Sequence, residues 1–392
     1  MINKKIIPYG KQYIDNFDIN NIKKSLKAEK ITQGKFVDIF ESKIKKFLNV
    51  NDAITCTSGT AALHLAFLAL DLKKNDIIIM PSVNFVAAYN LATSMGARVV
   101  LADVNSLTGQ LTPESLEDCI KKYNLKKIKI ILTMYLGGSA ENIKEFYNIK
   151  IKHKCFLVED ACHAFGSEYA YKNKRIKIGS CTHSDLCCFS LHPIKAITTG
   201  EGGIITTKSK KIAEKIRLMR SHGLVKNKNK YWEYTANGTG LNYRLHDISC
   251  ALGISQLKKI NFFIKKRRII SAIYQDKLNS YKDYITIPNY KSAKYNSWHL
   301  FVIKINFQEL NCNKDHFIKY LNKFKIFPQF HYIPLYRLKM MDKNLINKYP
   351  NSEIYYKNNI SLPIYVNLSK NNQIFVINKV LNFINIHKKN HV

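Results

Sequence analysis

Along the first two-thirds of the chain, apolar residues recur in two rhythms that take turns. Thr60 to Leu70 (TAALHLAFLAL) is dense enough in apolar positions for a buried helix, Ile77 to Met80 is an apolar run of strand length, and Phe85 to Met95 is helical again, ending at Gly96. Arg98 to Val104 reads as a strand. In 112-TPESLEDCIKKY-123, Thr112 is the expected N-cap and Pro113 takes the first helical position, where an N–H is not needed. Acids follow in the first turn, facing the positive end of the helix dipole. Strands are expected at 128–134, 155–159, 186–190 and 203–207, then a helix over 210–220 that His222-Gly223 stops. Helices alternating with strands favour an α/β architecture.

Beyond Asp247 the pattern changes. Residues 247–278 (DISCALGISQLKKINFFIKKRRIISAIYQDKL) predict one long helix leading into a smaller C-terminal unit. Strand 298–305, helix 315–324 and a last helix near 373–384 would build that unit. The division is set between residues 250 and 251, giving a large unit 1–250 and a connecting helix with a small domain over 251–392.

Composition narrows the classes. A chain of 392 residues suffices for two domains or for one large domain with an appendage. It contains no run of about 18 apolar residues, and its opening MINKKIIPYGKQ lacks the apolar centre of a signal peptide, so a cytoplasmic protein with no membrane role is expected. Nine cysteines, an odd number with no C-x-x-C pair, suggest buried thiols in a reducing compartment, with neither a disulfide framework nor a metal site. The formal charge of +34 would suit nucleic acid if it were clustered. The lysines are instead spread among Asn, Ile and Tyr, as in 142-NIKEFYNIKIKHK-154 and 319-KYLNKFKIF-327, and read as solvated faces. No nucleic-acid partner is expected; attraction of anionic small molecules is the remaining role for the charge.

Three short stretches carry candidate chemistry. In 57-TSGTAALHLA-66, small hydroxylated residues and a glycine precede a helix, whose exposed amides can cradle a phosphate, although Ser-Gly-Thr is also an ordinary turn and cap. In 157-LVEDACHAFG-166 an apolar run delivers Glu159, Asp160 and His163 to the carboxyl end of a strand, the edge at which open α/β sheets bind ligands. A carboxylate there can hold a cationic ring nitrogen, or can simply cap the next helix. In 186-LCCFSLHPIKAITTGEGGIITT-207, Lys195 lies on a turn leaving a buried strand, where desolvation would make its amine nucleophilic. An anion cradle, a ring-nitrogen partner and an amine nucleophile together are the groups that pyridoxal 5'-phosphate requires.

On these residues the chain resembles the DegT-type, or sugar aminotransferase, family of fold-type I pyridoxal-phosphate enzymes. The likeness runs from 6-IIPYGKQ-12 and 31-ITQGKFV-37 through EDACHAFG, SLHPIKAITTGEGG, 217-RLMRSHG-223 and 240-GLNYRLHDISCALGISQLKKI-260 to 329-QFHYIPLY-336 and 361-SLPIY-365. It implies an aspartate-aminotransferase-like fold, with a large domain around a mostly parallel central sheet and a smaller α+β C-terminal domain. The implied activity is transfer of an amine from an amino acid, glutamate being the expected donor, to a nucleotide-linked ketosugar. Within the family, the Pro-Tyr-Gly-Lys-Gln start, the Thr-Gln-Gly and the His-Tyr-Ile-Pro segments are most similar to the branch that aminates UDP-linked 4-keto-6-deoxy sugars on the route to pseudaminic acid.

The resemblance also implies roles. Lys195 matches the lysine that carries the cofactor as a Schiff base and shuttles the proton, and Asp160 the carboxylate that keeps the pyridine nitrogen protonated. His163 matches the contact to the phenolic oxygen, and Phe85 the ring that stacks on the pyridine. Ser58, Gly59, Thr60 and Ser190 match the phosphate cradle, with Asn242 reaching in from the neighbouring subunit of a homodimer that shares its active sites. Tyr9, Arg244, His331 and Tyr332 match sugar-nucleotide contacts. Between cofactor groups, His192 is expected to orient the turn, and Glu201 to fix backbone amides. Residues 133–139 (TMYLGGS) and 335–341 (LYRLKMM) depart from the family pattern beside the expected substrate pocket, which leaves the sugar open: a 3- or 4-aminotransferase for another UDP- or dTDP-ketosugar is the alternative. A related dehydratase branch replaces the lysine with histidine, and Lys195 argues against it. A non-catalytic sugar-nucleotide-binding protein is the reading from another class, against which the retained Asp160, His163 and Lys195 count.

Overall fold

The computed structural model describes residues 6–388 apart from 228, 231, 340 and 342. Its centre is a seven-stranded sheet of β1 (Asp52–Cys56), β2 (Ile77–Pro81), β3 (Arg98–Ala102), β4 (Ile128–Met134), β5 (Phe156–Asp160), β6 (Leu186–Ser190) and β7 (Gly203–Thr207), ordered β1-β7-β6-β5-β4-β2-β3. Strands β3, β2, β4, β5 and β6 run parallel, and β7 runs antiparallel to both β6 and β1. Parallel strands carry helices on both faces, which is why they are apolar runs and do not alternate with polar residues. Successive residues still point to opposite faces. Ile78, Met80, Ile130, Leu132 and Val158 enter one core, and Ile79, Ile131 and Leu157 enter the other.

The helices in chain order are α1 (Asn16–Leu26), α2 (Lys35–Leu48), α3 (Gly59–Ala69), α4 (Val86–Ser94), α5 (Pro113–Lys122), α6 (Ile143–His153), α7 (Lys210–Arg220), α8 (Asp247–Lys258), α9 (Ile260–Leu278), α10 (Lys314–Lys323), α11 (Pro350–Asn358) and α12 (Lys370–Lys388). Thr112 caps α5 as expected, in a reciprocal box with Ser115. The outer helices are tied down by buried acids with stated partners. Glu41 of α2 accepts from the Thr55 N–H and hydroxyl and from Arg217 and Arg220, and those two arginines hold its carboxyl below the usual range despite burial.

Residues 247–278 are not one helix. The chain breaks at Lys259, whose N–H turns back to the Gln256 carbonyl. Around the break Ser255, Gln256 and Lys259 direct their side chains onto the buried Asp18 of α1, and the Ser255 hydroxyl also competes for the Leu252 carbonyl. Helix α9 then passes from one core to the next, Phe263 packing with the large sheet's helices and Ile270 and Tyr274 with the C-terminal unit. That unit holds β8 (Ile285–Thr286), β9 (Phe301–Ile305) and β10 (Asn359–Leu362) in an antiparallel sheet, covered by α10 and α12. The strand expected from 298 starts at Phe301, because Trp298 is left-handed (φ 52°) with its N–H held by the Asn296 side chain. A division into units 1–250 and 251–392 is a proposal for limited proteolysis to test, since α9 serves both cores.

Candidate active site

At the carboxyl ends of β5 and β6 lies a cavity of about 630 Å³, roofed by segments of the C-terminal unit. Alternation along β5 decides which of its two acids enters it. Glu159 points away and accepts the Tyr135 hydroxyl at 2.7 Å, whereas Asp160 lines the cavity and accepts the Cys162 N–H at 3.1 Å. Burial raises the Asp160 carboxyl above its usual range, against the pull of Cys162 hydrogen bonds and the Lys195 charge. A buried acid left in that condition has room for a cationic partner.

The next wall is the start of α3. Ser58 caps it through the Ala61 N–H, and the amides of Gly59 and Thr60, in the first turn, have no acceptor within the helix. Gly59 is required by crowding: a Cβ there would sit 2.9 Å from Cβ of Ser190 and 3.3 Å from the Cys162 sulfur. Ser58, Gly59, Thr60 and Ser190 therefore converge on one end of the cavity, with the helix N-terminus favouring an anion.

Lys195 enters from the loop between β6 and β7. Its N–H closes a turn on the His192 carbonyl, and the Leu191 carbonyl accepts both the Thr198 hydroxyl and the Thr199 N–H. Threonines thus brace the loop, and among the described residues the Glu201 carboxylate makes no such bond, although Glu201 is one of the residues that border the cavity. Burial lowers the Lys195 ammonium from its usual value, with Cys162 and Asp160 opposing, so the free amine is closer to hand than in water.

His163 is buried, and burial drives its ring well below the usual histidine range, helped by the Lys195 charge and His331. The Gly137 N–H reaches its Nδ1 at 3.3 Å, and the Tyr332 hydroxyl lies 2.9 Å from its Nε2. Phe85, the residue before α4, is 51% exposed and borders the cavity with its ring 5.6 Å from that of Tyr332; it is not a core phenylalanine.

The roof comes from distant segments. Ile7–Pro8 pairs with Ile326–Phe327, which brings Tyr9 to 5.2 Å from the His331 ring. His331 bonds Ser361 through Nδ1 at 2.9 Å. Tyr9, His331 and Tyr332 all line the cavity; Asn242 and Arg244 do not line the cavity of their own chain. Asn242 is exposed and bridges Ser221 through its backbone.

Several lining residues escaped the sequence reading. Cys162 sat inside a quoted motif and could have been found as the residue two past Asp160. His299 had no local signal: its buried ring packs 4.3 Å from that of His163 with neither nitrogen bonded. Both departures from the family pattern reach the site, Met134 and Leu338 lining the cavity and Gly137 holding His163, while Met340 lies outside the described residues.

The arrangement fits pyridoxal 5'-phosphate. A cradle that a Cβ would fill can take the phosphate, the buried Asp160, which makes no salt bridge among the described residues, can take a protonated ring nitrogen, and a desolvated lysine can form the imine. Among the described residues, no cluster of His, Cys, Asp or Glu is set to hold a metal, and no helix is long and apolar enough to cross a membrane.

Comparison with known proteins places the chain among sugar aminotransferases. A model of the DegT/DnrJ/EryC1/StrS aminotransferase family matches residues 12–381. The chain is 36% identical over 387 residues, 98% of its length and 99% of the relative's, to UDP-4-amino-4,6-dideoxy-N-acetyl-beta-L-altrosamine transaminase of Campylobacter jejuni subsp. jejuni serotype O:23/36. It is 30% identical to GDP-perosamine synthase of Vibrio cholerae, covering 90% of this chain and 92% of that one. The solved structure of Helicobacter pylori PseC, an aminotransferase involved in pseudaminic acid biosynthesis, superposes with a TM-score of 0.87 at 30% identity, covering 97% of this chain and all of the other.

Proposed function

Because the chain belongs to the DegT/DnrJ/EryC1/StrS aminotransferase family, a family of pyridoxal-phosphate-dependent sugar aminotransferases, we propose that it aminates carbon 4 of a UDP-linked 4-keto-6-deoxy N-acetyl sugar. The product would be UDP-4-amino-4,6-dideoxy-N-acetyl-beta-L-altrosamine, and glutamate the donor. The observation that carries the chemistry is the convergence of Lys195, Asp160, His163 and the Ser58–Thr60 turn on one cavity. The observation that favours this sugar is the likeness to transaminases of that name over nearly the whole chain.

When bound, the cofactor supplies an electron sink for a carbon losing a proton. The chain's residues do the rest. The Ser58–Thr60 turn and Ser190 hold the phosphate, and the Asp160 carboxylate holds the ring nitrogen's proton. The Lys195 amine takes the proton from the donor's α-carbon in one half-reaction and delivers one to the sugar carbon in the other. Tyr9, His331 and Tyr332 would orient the sugar nucleotide.

We also propose a cytoplasmic homodimer. The hairpin Leu224–Lys226/Tyr234–Ala236 leaves Leu224, Val225 and Tyr234 exposed close in sequence to Asn242, an apolar surface suited to a second copy. Asn242 and Arg244 would then act across the interface. Mixing Lys195→Ala with Asn242→Ala protein should restore part of the activity if sites are shared, and none if each chain is self-sufficient.

The substrate is tested with glutamate and a panel of UDP-, dTDP- and GDP-ketosugars, the amine position and configuration being read by NMR. Amination at C3, or use of dTDP or GDP sugars alone, would defeat the assignment. A second reading, a 4-aminotransferase for another nucleotide sugar, is favoured by Met134 and Leu338 in the departing segments of the wall. Borohydride treatment of the cofactor-loaded protein should leave a reduced adduct on Lys195; its absence would sink the aminotransferase activity itself.

A further inference from the structure

The lysines of this chain read as solvated faces, and Lys314, at the start of α10, is an exception. A lysine ordinarily buries its stem and keeps its ammonium in water. Here the ammonium lies 3.7 Å from the centre of the Phe330 ring and 4.2 Å from that of Tyr356, and it donates to the Tyr356 carbonyl. The stack continues: the Arg337 guanidinium carbon is 4.8 Å from the Tyr356 ring centre, and Arg337 is held by Glu353, which accepts its Nε at 2.6 Å. A cation over an aromatic ring is attracted by the negative face, the more so where water is displaced.

Phe330 links this stack to the cavity. Residues 329–333 all line it, and so does Leu338, next to Arg337 in the chain. The backbone of 329–333 is tied at Gln329, which exchanges N–H···O bonds with Ser361, and at the His331 carbonyl, which accepts the Tyr355 hydroxyl at 2.8 Å. Phe330 lies between these ties, edge-on to Tyr356 at 5.2 Å between ring centres, and Lys314 is the charge that joins the two rings. Lys314 itself stands behind this wall and does not line the cavity.

Resting on the aminotransferase reading, we propose that Lys314 is a positioning residue for the nucleotide sugar: held between the Phe330 and Tyr356 rings, its ammonium fixes the 329–333 wall in the form that receives the sugar, and it takes no part in the reaction with the donor amino acid. The charged and titratable groups around the ammonium are Asp315 and His316 on α10, Arg337, and Glu353, Tyr356 and Lys357 on α11. Burial pushes the Lys314 amine down to about 8, with Asp315 opposing the fall and Arg337 adding to it. The amine is therefore charged at neutral pH and loses its charge as pH rises past that value, so its hold on Phe330 weakens on the alkaline side.

Two variants and two measurements decide it. Lys314→Met keeps the stem without the charge, and Lys314→Arg keeps a charge that stacks on aromatic rings and is not lost on the alkaline side. In cofactor-free protein at neutral pH, hydrogen exchange over residues 329–333 should quicken about fivefold in Lys314→Met and stay unchanged in Lys314→Arg, with strand 128–134 equally protected in all three proteins. Equal quickening in both regions would mark a merely structural lysine and overturn the proposal, as would no change at 329–333. In cofactor-loaded protein, Lys314→Met should raise KM for the ketosugar of the panel that the unmodified protein aminates by about fivefold, with kcat and the single-turnover rate with glutamate unchanged. The ratio of the unmodified protein's KM to that of Lys314→Arg should climb by a similar factor between about pH 7 and 9. A KM that Lys314→Met leaves unmoved, an equal slowing of the glutamate reaction, or one pH profile shared by Lys314→Arg and the unmodified protein refutes the proposal. The measurement uses whichever sugar is turned over, so an error in the assigned sugar leaves these outcomes unaffected. Failure of the unmodified protein to form the lysine adduct would sink the activity, and the exchange result would still judge the hold of Lys314 on the wall.

Discussion

The floor and the roof of the cavity are built in different ways. The floor consists of the ends of regular elements: Asp160 is the last residue of β5, Ser190 the last of β6, and Ser58 to Thr60 the first turn of α3. Each of its groups is placed by backbone that the sheet already holds. The roof is made of Tyr9, His299 and His331–Tyr332, three segments far apart in sequence that meet through a two-residue strand pair, packing and a few side-chain bonds. On the proposed reading, cofactor chemistry, which needs fixed distances, would sit on the rigid part, and substrate choice on the part that sequence change can reshape.

That contrast can be broken by experiment. The largest effect is expected on the floor at Asp160→Asn, which removes the proposed partner of the ring nitrogen: the single-turnover rate with glutamate should fall by roughly 100-fold or more, as for a broken buried charge pair. A rate within a few-fold of the unmodified protein would mean that Asp160 does not face the cofactor. Gly59→Ala places a methyl 2.9 Å from the Ser190 Cβ and crowds the cradle. The cofactor's dissociation constant should rise by about 10- to 100-fold, the loss of one or two charge-assisted hydrogen bonds, whereas the stability of cofactor-free protein should change much less.

On the roof, His331→Asn should raise KM for the nucleotide sugar by about tenfold, one hydrogen bond's worth, with cofactor affinity and the glutamate half-reaction unchanged. An equal loss in both half-reactions would erase the distinction between the two walls. A separate effect is expected in pH dependence. Burial pushes the His331 ring down to about 3, whereas an unfolded histidine titrates near 6.5. Below pH ~6.5 the unfolded chain binds the extra proton, so the contribution of His331 is intact above that value and is lost as pH falls toward 3, at up to about 1.4 kcal/mol per pH unit. Unfolding of His331→Asn should accordingly depend less steeply on pH in that window, and identical slopes would show that His331 is not neutral in the fold.

Much of this was legible in the chain. The strands at 128–134, 186–190 and 203–207 and the helix at 210–220 have the bounds their apolar patterns predict, because buried parallel strands and capped helices leave local marks. Helix α6 went unread, since the alternating Ile and Lys of NIKIKHK imitate a strand until Phe146 and Ile149 are seen to share one buried face. The break at Lys259 was invisible because its cause, Asp18, is more than 200 residues away.

By itself, the sequence picked out the candidate groups that meet in the cavity: a lysine on a turn after a buried strand, a carboxylate at a strand's end and small residues before a helix are each written in fewer than a dozen consecutive residues. Only the tertiary structure decided which acid of Glu159-Asp160 faces the cavity, that His299 is part of it, and that His163 lies within hydrogen-bond reach of Tyr332. Those outcomes depend on the direction of side chains brought together across more than a hundred residues, and that direction is set by packing, which no local pattern records.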